Sequence, residues 1–80
     1  MTNIDAVNFV AQAADDLHTG KTTWAGVEPA MRDHVVRRIH WYVEVKYPAD
    51  LRATTNARRK ATLRREAARW AALLAEIESA

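Results

Sequence analysis

His40 and Glu44 stand four residues apart in this chain, and Asp15 and His18 three apart. On a helix either spacing puts both side chains on one face, within reach of a shared proton or of two bonds to one metal ion. A stable metal site usually needs three or four ligands, so each pair reads first as a surface hydrogen bond or ion pair. Nucleophilic chemistry has little material. There is no cysteine, and Ser79, beside the terminus, is the only serine. Thr22, Thr23, Thr54 and Thr55 suit loop and capping positions. A helical chain of 80 residues also has little volume for a substrate pocket of roughly 300 Å³ or more. No enzyme activity, cofactor or metal is expected.

A second cluster carries binding chemistry. Seven of the twelve lysines and arginines fall between Arg52 and Arg69, with Glu66 the only acid among them. On a helix, Arg58, Arg65 and Arg69 share the side opposite Leu63 and Leu74, while Arg59, Lys60 and Arg64 flank the apolar stripe. Such a face either contacts nucleic-acid phosphates or is a solvated surface, balanced in part by Glu66 with Arg69 and by acids of the first helix. Neither a cysteine–histidine finger nor a long heptad zipper accompanies it. A third cluster is Trp41 with His34, Arg37, Arg38 and Val45, one side of the second helix. Tryptophan and arginine dominate binding hot spots, so an exposed Trp41 would mark a protein-binding surface or a homodimer contact. A buried Trp41 would mean that both sides of that helix are covered. The run Thr19-Gly20-Lys21-Thr22-Thr23 invites comparison with a phosphate-binding loop. It lacks the first glycine, since Asp15 stands there, and no strand precedes it. Gly20 reads more simply as a helix stop.

The elements that position these residues follow from periodicity. Ile4, Val7, Val10 or Ala11, Ala14 and Leu17 recur at helical spacing. With Thr2 or Asn3 as cap and Gly20 as stop, they predict a first helix over about residues 3–18. A connector with both glycines leads to Pro29, which suits the first position of a helix. The second helix is predicted from Pro29 to Lys46, ended by Pro48, with Met31, Val35, Ile39, Tyr42 and Val43 inward. Residues 39–47 also alternate as a strand would. A strand there has no partner in the chain, and only pairing with a second copy would supply one, so helix is preferred. Asp50 starts a short turn or the third helix itself. Thr54 or Thr55 caps the main run, which reaches Glu78 on the stripe Leu63, Ala67, Trp70, Leu74 and Ile77. That makes ~25 residues and about 37 Å, longer than the other two helices, with the basic end projecting.

Eighty residues make one domain, 1–80, whose single core leaves a few kcal/mol of net stability. Without disulfides, good helix packing or association into a homodimer must supply it. The fold expected is all-α, a small three-helix bundle with a long basic C-terminal helix. Its core is Val7, Leu17, Trp24, Val35, Ile39, Leu63, Trp70, Leu74 and Ile77. Net charge is +2 but uneven: residues 1–20 hold three aspartates and no base, while residues 51–70 hold seven bases and one acid. No charged leader with an apolar run opens the chain and no stretch approaches a membrane span, so a cytoplasmic protein with no membrane partner is expected.

The segment Trp24-Ala-Gly-Val27-Glu-Pro29-Ala-Met-Arg32 resembles a helix-start pattern of small helical proteins of bacteriophages and bacteria. The Ala- and Arg-rich, cysteine-free composition is similar to theirs. The resemblance covers about a quarter of the chain. It implies accessory roles, such as redirecting a host protein or regulating transcription, and assigns no residue a function. Together these readings predict a non-catalytic protein-binding or regulatory module using His34, Arg37, Arg38, Trp41 and Val45, its protein partner unidentified. The alternative is a nucleic-acid-binding protein using Arg58, Arg59, Lys60, Arg65 and Arg69.

Overall fold

The computed structural model describes residues 3–79, with side chains from residue 9 onward. The described residues contain four α-helices and no strand: α1 (Asn3–Thr19), α2 (Arg32–Trp41), α3 (Tyr47–Ala53) and α4 (Ala57–Glu78). They fall into two compact units, divided between Arg38 and Ile39. The expected inward place of Val7 and the capping roles of Thr2 and Asn3 lie outside the described side chains.

In the first unit, α1 ends within a residue of its expected limit. Gly20 adopts φ +82°, the left-handed conformation that glycine reaches without a Cβ penalty. The chain then folds back, with the Thr22 N–H donating to the Asp16 carbonyl at 3.2 Å. Two 3₁₀ turns follow, Trp24–Gly26 and Pro29–Met31. Pro29 opens the second, as expected of a residue with no N–H to orphan. Arg32 fastens this connector from the start of α2. Its Nε donates to the Val27 carbonyl at 3.2 Å and its Nη2 to the Ala25 carbonyl at 3.4 Å. Its guanidinium lies over the Trp24 ring, 5.6 Å from the centroid. The Trp–Val–Pro–Arg spacing is thus a local clasp joining a cation–π contact, two carbonyls and a buried Val27. Trp24 itself is half-buried, not the core residue expected, because it sits on a short surface turn where the arginine covers its ring. Ala14, Leu17, Val27 and Val35 are buried.

The second unit is a helical hairpin. α2 does not end at Pro48. It passes into a π-helical turn, Tyr42–Lys46, and continues as α3 to Ala53. The Tyr47 N–H bonds to the Tyr42 carbonyl five residues back. In a regular helix, Pro48 would lack a bond to the carbonyl four residues earlier and its ring would clash there. The wider turn gives the ring room, so proline is carried where a break was expected. The same turn resolves the strand-like alternation. Its extra residue shifts the helical phase, so Tyr42 and Tyr47, five apart, are both buried.

After residues 54–56 the chain reverses into α4, which packs on α3 and on the π turn. The cap is Asn56, not Thr54 or Thr55: its Oδ1 accepts from the Arg59 N–H at 3.0 Å. Thr54 instead accepts from the Asn56 N–H at 3.3 Å. The helix is therefore 22 residues long, about 33 Å, shorter than expected at its basic end. Leu63, Trp70, Leu74 and Ile77 are buried along the expected stripe. The Tyr42 ring lies 4.6 Å from that of Trp70 and 6.3 Å, edge-on, from that of Tyr47. These are distances at which aromatic pairs attract beyond their burial.

Candidate functional site

A polar chain runs through the hairpin. Trp70 Nε1–H donates to Tyr47 Oη at 3.1 Å, and the Tyr47 hydroxyl donates to Glu66 Oε2 at 3.1 Å. Burial, and the Glu66 carboxylate behind it, push the Tyr47 phenol above its ordinary pKa, although the Trp70 hydrogen bond opposes this. The hydroxyl therefore stays protonated and links the two helices. The acid that interrupts the basic run of α4 thus has a structural role inside the hairpin.

At the other end of the hairpin His40 is held between two carboxylates. Its Nδ1 faces Glu44 Oε1 at 3.2 Å and its Nε2 faces Glu78 Oε1 at 2.8 Å. Hydrogen bonding to Glu44 raises its pKa above the ordinary histidine value; desolvation opposes this, and the hydrogen bond to Glu78 adds to the rise. The carboxylates occupy opposite ring nitrogens and do not converge on one point. Among the described residues no group of three metal-ligating side chains occurs. His40 and Glu44 form the expected pair, and Glu78 joins them across the hairpin. Lys46 pairs with Asp50 at 2.9 Å, and that hydrogen bond raises the lysine pKa.

The residues of the expected protein-binding face divide between the units. In the first, His34 and Arg37 are exposed and Arg38 is half-buried. In the second, Trp41 is 42 % exposed and Val45 50 % exposed. The Trp41 ring lies 5.5 Å from that of the buried Tyr42. A large aromatic that accessible contributes less to the core than its type would suggest. Of the two readings of Trp41, burial on both sides of the helix is the one the structure does not bear out.

The basic face is present on α4. Arg58, Arg59, Arg64, Arg65 and Arg69 are exposed and Lys60 is half-buried. Arg58, Arg59, Lys60, Arg64 and Arg65 form no ion pair among the described residues. α4 has no acid in its first turn, so Arg58, Arg59 and Lys60 sit unrelieved at the positive end of the helix dipole. Arg52, not among the expected site residues, is exposed at the end of α3, across the three-residue turn from Arg58. An open concavity of about 380 Å³ lies at this turn, lined by Asp50, Ala53, Thr54, Thr55, Asn56 and Arg59. In the first unit a second open concavity, of about 280 Å³, includes Phe9, Asp16, Val27, Glu28 and Met31 in its lining.

No helix of the described residues is long and apolar enough to cross a membrane. No family model, curated protein or solved structure matches the chain.

Proposed function

We propose that this chain is a non-catalytic protein-binding or regulatory module whose contact surface centres on Trp41 and Val45. His34, Arg37 and Arg38, earlier in the sequence of the same helix, are proposed as further contact residues, and the fold as a three-helix bundle carrying a long basic C-terminal helix. The reading is supported by one observation above all, the exposure of both Trp41 and Val45, four residues apart in the chain. A tryptophan in such a position offers a large, rigid contact area at low entropic cost. An accessory role of the kind found among small bacteriophage proteins fits this reading, in a cytoplasmic setting and with a protein partner or a second copy on the Trp41 face. The test is a Trp41→Ala/Arg37→Ala double variant. It is expected to keep its helical circular dichroism while losing partner capture and any self-association seen by light scattering. Loss of helicity instead would make Trp41 a folding residue and overturn the proposal.

The second reading is nucleic-acid binding through Arg58, Arg59, Lys60, Arg65 and Arg69. It is favoured by the absence of ion-pair partners for the first four of these among the described residues. Binding of this kind weakens steeply with salt, about 0.9 in log–log slope per neutralised phosphate on duplex DNA. A complex with labelled duplex that is indifferent to salt would contradict it.

A further inference from the structure

The hairpin is polarised along its length in a way the sequence alone does not display. Because α3 and α4 run in opposite directions, the turn brings Arg52 from one helix to the same end as Arg58, Arg59 and Lys60 from the other. The far end instead holds Glu44, Glu76 and Glu78, two of them engaged with His40. The one acid near the basic end, Asp50, is tied to Lys46 at 2.9 Å.

We infer that this turn end grips the phosphate backbone of double-stranded DNA, with Arg52, Arg58 and Arg59 as the principal contacts. The inference rests on the nucleic-acid reading of α4 and narrows it to one end of the hairpin and one kind of strand. Five features argue for this occupant. The charge is carried mainly by guanidinium groups, whose planar fork matches phosphate oxygens two at a time. Between Arg52 and Thr62 the largest apolar side chain is alanine, so this end has no large apolar side chain to anchor the buried centre of a protein interface or a lipid surface. The same stretch contains no aromatic ring on which unpaired bases would stack, which favours a duplex over a single strand. Thr54, Thr55 and Asn56 add hydroxyl and amide groups around the concavity, the usual neutral partners of phosphate. The first turns of α4 carry Ala57 and Ala61 between the basic residues, and a helix about 10–12 Å across fits a major groove of about 12 Å.

The test is fluorescence anisotropy of a short labelled DNA duplex, and of one of its strands alone, titrated with the full chain at several salt concentrations. An Arg52→Ala/Arg58→Ala/Arg59→Ala variant and an Arg65→Ala/Arg69→Ala variant are run beside it, with circular dichroism to confirm that both stay helical. The full chain is expected to bind duplex more tightly than single strand. The first variant is expected to lower the salt slope by about 0.9 per lost contact, roughly 2.7 for three. The second should keep most of the binding. Duplex binding lost only in the Arg65/Arg69 variant would overturn the inference and leave the nucleic-acid reading standing. Preference for the single strand would overturn the duplex assignment in the same way. No binding to either strand form by the unaltered chain would overturn both.

Discussion

His40 is the residue whose behaviour is most directly testable. Its two ring nitrogens face Glu44 and Glu78, and the imidazolium is the form both carboxylates favour. Its folded-state pKa is therefore raised. The stabilisation it brings is fully present below the ordinary histidine pKa of about 6.5 and is lost as pH rises through the higher folded value. Melting temperature followed from pH 5 to pH 9 should fall more in the unaltered chain than in a His40→Gln variant. Equal pH dependence in the two would mean that the bridge does not persist in solution. The Glu44 half of this contact was legible from the four-residue spacing. Glu78 was not, because nothing local says which residue lies across a hairpin. Arg32 teaches the complementary lesson. The spacing of Trp24, Val27, Pro29 and Arg32 was visible, and its content is a structural clasp around the connector. Trp24 is half-buried for that reason and not a member of the core.

At the scale of the element, α4 shows two opposed effects in its first turns. Asn56 satisfies the Arg59 N–H and stabilises the helix start, whereas Arg58 and Arg59 place positive charge at the positive end of the dipole. Asn56→Ala should destabilise the chain by about 1 kcal/mol. Arg58→Ala should raise stability by about 0.3–1 kcal/mol at low ionic strength, with the gain shrinking in salt. Thermal denaturation of the two variants at two salt concentrations separates these signs. A loss of stability in Arg58→Ala would mean that the arginine makes an internal contact, weakening the case for an external anion. The stripe of α4 was readable because one face of a long helix repeats without interruption. The passage through Pro48 was not readable. A π turn needs only one extra residue in a turn, and it leaves no propensity signal that outweighs a proline. It does leave a trace in phase: Tyr42 and Tyr47, five apart, are both large, aromatic and inward.

For the whole molecule the balance is narrow. A chain of 80 residues with no disulfide depends on a few large side chains for its stability. Trp70 is 3 % exposed, contacts the Tyr42 ring and donates to the Tyr47 hydroxyl. Trp70→Ala should cost roughly 3–5 kcal/mol, enough to unfold much of a marginal domain. Circular dichroism at 25 °C and a urea titration check this expectation. Retention of a full helical signal and an unchanged midpoint would show that the hairpin does not rest on this residue. Such a variant would say nothing about binding, because loss of the fold removes every surface at once.

The sequence by itself determined what depends on neighbours along the chain. It set the helical class through apolar periodicity, the end of α1 through Gly20, the inward stripe of α4 and the concentration of arginines near its start. These are local choices, fixed by backbone freedom and by side chains three or four positions apart. Tertiary structure decided what depends on residues far apart in sequence. Tyr47 meets Glu66 nineteen positions later and Trp70 twenty-three later, and no local pattern selects those partners. The same reversal carried Arg52 to the end of the hairpin where α4 begins and sent the acids to the other end. A charge asymmetry written along the chain became, through an antiparallel turn, a charge asymmetry in space.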